Sequence, residues 1–438
     1  MRSQGPPAPP MPEQVIDDPV TGSRCHYERP RDASFCEDIL AYLQVAWQVQ
    51  VEERGWPAPF EDGNHGGTPG LDWFVDPGIG GAWTSSNYND ADPNDGRTGG
   101  WAYIHIDPSI SADELDIYVA HEFNHALQYA LDMTESTSPP WEGVATIMEE
   151  VTFPGHGSWG DSVPHFQDVP WLSLLSDGDY LWDVYDLWSW YEYGSALFFE
   201  FLRQEYAIEP VDLWWAMTNT GWRNEPDVWD AVETLTGDAQ EALMRFSIQR
   251  ARVGTPAAPG WSSELSSKLT VEDEINHTGR ITAASVDPYV LGVAWFDVEA
   301  DGLLEFHMEG DFTTNWGIVV VEEGTLQKGT EPVVFEGPAR IGVVNLGPTD
   351  FDPDEYCDWG CEFESHSLNA WVQDPESTGQ EDDNRLGGDS PIAAESLTTA
   401  GCGCSLTPRS SGGIGLALWG LVWGLGRRRP AMQRTQSI

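Results

Sequence analysis

A chain of 438 residues with 72 acidic against 21 basic side chains, a formal charge of −51, is too long for one compact domain and too negative to dock on phosphate backbones, which excludes nucleic acid as a partner. With 40% apolar residues and 22 tryptophans it can bury a substantial core. The expectation is two folded domains, at 15–254 and 261–373, with polar or anchoring segments at the ends.

Residues 1–14 are proline-rich, contain no apolar run of the signal-peptide kind, and read as a disordered lead. Ile39, Leu43, Ala46 and Val49 recur at helical spacing and predict an amphipathic helix from Phe35 to about Glu53. Two short apolar runs then predict strands, LDWFV from Leu71 and WAYIHID from Trp101. Between them, Asp90, Asp92, Asn94 and Asp95 alternate oxygen donors in the manner of a Ca2+ loop. The glycine stands at position seven instead of six, and no glutamate follows at twelve. A surface turn is therefore the expected form, with a Ca2+ site as the weaker alternative.

The second strand leads into a helix whose start is marked by the S-x-x-E spacing of Ser111 and Glu114. On it, Leu115, Val119, Phe123, Ala126, Leu127 and Ala130 share one side, while Tyr118, His121, Glu122, His125 and Tyr129 share the other. The second set contains HEFNH, an H-E-x-x-H arrangement. One helical turn separates the two imidazoles, so both can reach one ion while the glutamate lies beside an open coordination position. A catalytic site of this kind needs a third protein ligand and leaves room for water. The glycine and third histidine of a metzincin are absent, since Gln128 and Leu131 stand in their places. The next helix, WEGVATIMEEV from Trp141, offers Glu142, Glu149 and Glu150. If the metal site is discounted, the motif reads as a hydrogen-bonded polar layer between helices.

Further helices are predicted at YGSALFFEFLRQEY from Tyr193, at VDLWWAM from Val211 and from about Asp238 to Arg250. After the break GTPAAPG, Gly254 to Gly260, short alternating runs such as YVLGVAWFDV, LLEFHME, GIVVVEE and ARIGVVNL predict an all-β sandwich at 261–373. Residues 374–401 are acidic and aperiodic, a linker. The six cysteines form three local pairs, Cys25 with Cys36, Cys357 with Cys361 and Cys402 with Cys404. The first two are expected to close small disulfide loops in an oxidising compartment. The last pair precedes an apolar run from Gly412 to Gly426 and the basic cluster Arg427, Arg428 and Arg429. As a helix that run spans roughly 22 Å, shorter than a bilayer core.

The helix pair resembles that of the gluzincins, in which HExxH is followed by an E-G-x-x-x-x-x-E helix. That resemblance implies an α+β zincin-like metallopeptidase domain, with His121, His125 and Glu142 as zinc ligands, Glu149 orienting a ligand histidine, and Glu122 as the general base that activates water. It also implies an oxyanion donor, for which Tyr191, Tyr193, His156 and His165 are the candidates. The order from the strand through HEFNHALQYA and PPWEGVATIMEE to YGSALFFEFLRQEYA is similar to exported metalloproteases of myxobacteria and related bacteria. The C-terminal segment resembles the myxobacterial surface-sorting tail, with Cys402 and Cys404, a hydrophobic helix for transient membrane anchoring and an arginine cluster. Together these imply a Zn2+-dependent endopeptidase acting on protein or peptide substrates at the cell surface or outside the cell. The alternative from another class is a non-enzymatic surface adhesin with a vestigial metal site. WAYIHID is read by default as a plain structural strand, with an edge for holding an extended substrate by β-addition as the alternative.

Overall fold

The structure, a computed structural model, describes residues 14–87, 99–176, 190–218, 226–263, 265, 269–271, 273–275, 287–356, 363–373 and 375. Most of the expected lead, the calcium-like loop at Asp90–Asp95, the Cys357 and Cys361 pair, nearly all of the linker, and the tail with Cys402 and Cys404 lie outside these residues.

The chain first builds a five-stranded mixed sheet from β1 (Gln14–Asp17), β2 (Arg24–Tyr27), β3 (Asp72–Val75), β4 (Ala82–Asn87) and β5 (Trp101–Ile106). Their spatial order is β1-β2-β3-β5-β4. Strands β2, β3 and β5 run parallel, while β1 and β4 are antiparallel edges. A parallel step needs a crossover, and α1 (Ala33–Ala46) supplies it between β2 and β3. The disulfide Cys25–Cys36 ties β2 to that helix.

Alternation sorts the strand residues between two faces. Cys25, Trp73, Ile104 and Ile106 join the core under the helices. On the other face His26, Phe74, His105 and Trp83 stack across four strands, with ring centroids 4.6, 5.5 and 4.8 Å apart. WAYIHID is β5, which is paired on both sides, to β3 and to β4, as a plain structural strand is. The edge on that side of the sheet belongs to β4, AWTSSN.

Three faults in the helix expectations have local causes. The chain from Phe35 stays helical to Glu53, but its last turns, Trp47–Glu53, are wound as a π-helix. There Gln50, not Val49, is the buried side chain. Ser111 does not start the next helix: its hydroxyl donates to the Glu114 carboxylate at 2.9 Å, and α2 runs from Leu115 to Leu131. The helix expected from Tyr193 is divided at Ser195 into α5 (Trp190–Gly194) and α6 (Ala196–Tyr206). The remaining helices of eight or more described residues are α3 (Ser138–Thr152), α4 (Trp159–Asp168), α7 (Pro210–Met217), α8 (Val228–Thr236) and α9 (Ala239–Arg252). Asp227 and Asp238 cap α8 and α9 by accepting amide hydrogens of the first turn.

The second sheet contains β6 (Asp273–Ile275), β7 (Val293–Gly310), β8 (Asn315–Val320), β9 (Thr325–Lys328), β10 (Val333–Gly347) and β11 (Leu368–Gln373), in the order β11-β7-β10-β8-β9 with β6 against β7. Of YVLGVAWFDV and LLEFHME, expected as separate strands, the VAWFDV part of the first and the whole of the second belong to the single strand β7, while YVLG precedes it. Ten residues of straight strand would separate Phe296 from Phe306 by about 33 Å. Their rings lie 5.9 Å apart, so β7 folds back on itself. The fold falls where Gly302 pairs with Gly337. A Cβ at Gly337 would meet the Ala300 carbonyl oxygen at 2.1 Å, and Gly302 has a φ of 96°, so both positions need glycine. Two halves of one bent sheet, instead of two separate sheets, thus enclose the core of Phe296, Phe306, Ile318, Phe335 and Ile341.

The break at Gly254 to Gly260 does not divide the molecule into independent cores. Val293, Trp295, Val319, Val321, Val344 and Leu346, on the other face of the bent sheet, share one hydrophobic core with the helices. Gly317 lies against Met244 of α9, where a Cβ would come within 2.8 Å of the sulfur.

Candidate metal centre

Helix α2 carries His121, Glu122 and His125 on one face, and α3 packs alongside it. Gly143 permits a close approach on the far side of α3, since a Cβ there would meet Ser195 Oγ at 2.3 Å and the Ala196 nitrogen at 3.0 Å. That approach brings the α5–α6 corner and Tyr193 against the preceding residue, Glu142.

His121 Nε2 lies 3.1 Å from Glu142 Oε2. His125 Nε2 lies 3.0 Å from His121 Nε2 and 3.5 Å from the same carboxylate oxygen. The opposite ring nitrogens are already engaged. His121 Nδ1 donates to Glu149 Oε1 at 2.7 Å, and the other oxygen of Glu149 accepts the Ser158 amide at 2.7 Å. His125 Nδ1 donates to Gln128 Oε1 at 2.7 Å, because the Gln128 amide nitrogen is turned to the carbonyls of Pro140 and Trp141.

This tautomer assignment decides the chemistry. With both Nδ1 positions protonated, two imidazole lone pairs and a carboxylate oxygen converge, an arrangement of three acceptors that requires a positive charge between them. One candidate is a proton on His121. Burial opposes it, but hydrogen bonds donated to Glu142 and Glu149 win and push that imidazole well above its ordinary value. The other is a metal ion. Ligands about 2.05 Å from a tetrahedral zinc stand about 3.3 Å from one another, and the three separations here are 3.0, 3.1 and 3.5 Å. The donor set, two nitrogens and one oxygen, suits Zn2+ better than Ca2+ or Mg2+, which take oxygen ligands. His121, His125 and Glu142 therefore fit zinc. Burial would raise the Glu142 carboxyl, yet His125 and His121 hold it far below the usual range.

Glu122 is 5% exposed, and burial raises its pKa. Thr84 on the edge strand β4 places its hydroxyl 2.7 Å from Glu122 Oε2 and 2.9 Å from the Glu122 carbonyl. An aromatic wall surrounds the group. Tyr193 stacks on His121 with centroids 5.6 Å apart, while Trp141 packs 4.7 Å from Tyr129 and 4.6 Å from Trp214.

Of the four oxyanion-donor candidates, the structure brings only Tyr193 to the site. Tyr191 is buried and donates to the carbonyls of Leu172 and Ser173, with its ring against Phe166. His156 pairs with Asp116 at 2.9 Å, in the first turn of α2, about 7.5 Å along the axis before His121. His165 lies on α4, outside the group around His121. Thr84, Gln128 and Gln50 escaped the sequence reading. Gln128 had a visible signal, one turn after His125, whereas Thr84 had none.

A second group of acids meets where the helical part joins the bent sheet. Asp227, Asp352 and Asp354 each bring one oxygen within 4.8 Å of the others. Burial pushes Asp227 up to about 8 and the nearby Glu135 up to about 7.

No family model matches this chain, and no curated protein matches it. Among solved structures, a periplasmic lysozyme inhibitor of g-type lysozyme from Salmonella Typhimurium aligns over 23% of this chain and 98% of its own, at 8% identity and a TM-score of 0.17. A likeness that slight carries no argument about fold or activity. Among the described residues no helix is long and apolar enough to cross a membrane.

Proposed function

We propose that the protein is a zinc-dependent endopeptidase with a zincin-like site of the gluzincin kind, in which His121, His125 and Glu142 hold the ion and Glu122 is the general base. The observation that carries this reading is the convergence of two Nε2 atoms, each on a ring whose Nδ1 is already hydrogen-bonded, and a carboxylate oxygen at separations that suit a zinc-sized tetrahedron, with Glu122 one residue from His121. Zinc, when bound, supplies a Lewis acid that polarises a carbonyl and acidifies water.

The remaining steps belong to the chain. Glu149 and Gln128 lock the imidazole tautomers so that Nε2 stays available. Glu122, oriented by the Thr84 hydroxyl, takes a proton from the attacking water and passes it to the leaving amine. The buried, raised carboxyl is suited to hold that proton between the two transfers. Tyr193 donates to the developing oxyanion. An extended peptide adds, by backbone hydrogen bonds, to the edge of β4 that pairs with no other strand among the described residues, beside Glu122. The Cys25–Cys36 disulfide supports a location outside the cytoplasm, as the C-terminal sorting tail implies.

Metal analysis of the purified protein, joined to hydrolysis of a mixed peptide library, tests the reading. Wild type should carry about one zinc per chain and cleave peptides. Glu122→Gln should keep its zinc and lose at least 100-fold in kcat, the low end for removing a general base. A protein that takes up no metal at neutral pH would instead make the cluster a proton-centred polar layer. A zinc-loaded protein inert to the library would leave a vestigial site on a surface binding protein.

A further inference from the structure

We propose that Gln50, carried inward by the π-helical end of α1, is the positioning residue that holds the two histidines of α2 in register with α3. The inference rests on the metal-site reading above. Gln50 is fully enclosed, and it is the buried residue of the turn Trp47–Glu53. Its amide nitrogen donates to the Ala120 carbonyl at 3.0 Å and to Thr152 Oγ1 at 3.1 Å, and its carbonyl oxygen accepts from Asn124 Nδ2 at 3.0 Å. All three hydrogen bonds are therefore spent on the two helices that build the site.

The positions of these contacts give them their meaning. Ala120 and Asn124 are the residues immediately before His121 and His125, one helical turn apart. Thr152 lies one turn beyond Glu149, which orients His121. Asn124 Oδ1 is buried with no partner, so Gln50 supplies the hydrogen bond by which the Asn124 side chain is held. Trp47, in the same π-turn, stacks on Phe123 with centroids 5.8 Å apart, which fixes the turn against the motif from a second direction. Single π-turns within α-helices concentrate at functional sites because they rotate one side chain out of the regular phase. Here Val49 is half-buried and the amide of Gln50 takes the interior place.

The test uses the full-length chain with Gln50→Met, which keeps the volume and removes the polar contacts, and the double variant Gln50→Met/Asn124→Leu. The double variant leaves no amide buried without its partner and so should recover much of any lost folding stability. Zinc affinity by chelator competition and the visible spectrum of the Co2+ form are read alongside thermal unfolding. Both variants should bind zinc about tenfold more weakly than wild type, the lower end for groups behind metal ligands, with an altered Co2+ spectrum, and kcat should fall while KM holds. If the double variant regains stability and also wild-type affinity and spectrum, Gln50 is only a core amide and the proposal is overturned; should the single variant fail to fold, the double decides alone. A wild type that binds neither Zn2+ nor Co2+ overturns both this proposal and the metal-site reading, and is distinguished by failing before any variant is compared.

Discussion

Adding Zn2+ to protein stripped by a chelator should raise its unfolding temperature, and the size of the rise follows from the geometry. The three ligand atoms are already 3.0, 3.1 and 3.5 Å apart, so each must move only a few tenths of an ångström to surround a tetrahedral ion. Little binding energy is then diverted into rearrangement, and the ion acts as a ligand of the folded state alone. At 100 times its dissociation constant, free zinc adds about 2.7 kcal/mol to stability. For a folded unit of this size that corresponds to about 4 °C.

The effect has a definite pH dependence. His121 is held well above its ordinary value, because the hydrogen bonds it donates to Glu142 and Glu149 outweigh the burial that opposes its charge. Below that raised value the imidazole carries a proton that zinc must displace, so apparent affinity falls by up to tenfold per pH unit as the solution is acidified. Differential scanning fluorimetry across pH 6 to 8, at fixed free zinc, reads both quantities. Glu142→Gln should abolish the zinc-dependent part. The reasoning is refuted if wild type shows no zinc-dependent rise, or if Glu142→Gln shows the same one.

Three further outcomes are expected. Thr84→Val removes a 2.7 Å hydrogen bond to the Glu122 carboxylate, worth about 1.5–3 kcal/mol for a charged acceptor, and should lower kcat by tenfold or more with zinc content unchanged; Thr84→Ser should restore most of it. Replacing both Cys25 and Cys36 with alanine opens a link across 11 residues and should cost about 3 kcal/mol in denaturant unfolding, by loop-closure entropy. At the acid cluster, burial raises Asp227 to about 8 and Glu135 to about 7, so the folded state holds protons that the unfolded chain has released. In chelator, the stability contributed by these two groups should therefore be complete below about pH 4, the unfolded range, and be lost, by several kcal/mol, as pH rises through the folded values near 7 and 8. Asp227→Asn with Glu135→Gln should flatten that decline.

Much of the site could be read from the amino acids, and the unread part has a physical pattern. His121, Glu122, His125, Glu142 and Glu149 follow helical spacing, and the structure gathers them because a helix converts sequence interval directly into position. Thr84 could not be found this way, since its place beside Glu122 depends on how far a strand slides along its neighbour. That the edge is β4 and not β5 has a similar reason. AWTSSN lacks the apolar alternation that announces a strand, and it forms by pairing with a neighbour instead of by burying a face of its own. The strands β1 and β2 are four residues each and largely polar, held by the turn at Asp18, whose carboxylate accepts the amides of Val20 and Thr21. In the second half, alternation located the strand segments but could not show that two of them are one strand bent at Gly302. Apolar residues at Ile39, Leu43 and Ala46 fixed the buried side of α1, yet nothing in them foretold that the winding would widen and draw a glutamine inward.

The hydrophobic core shared between the helices and one face of the bent sheet governs how this protein can be taken apart. A clone ending at the proline-rich break would strip the cover from Met244, while one beginning there would present Trp295, Val319 and Val321 to water. Neither half is a sensible unit for expression, and a nick within Gly254 to Gly260 would leave two fragments that stay clasped until denaturant separates them.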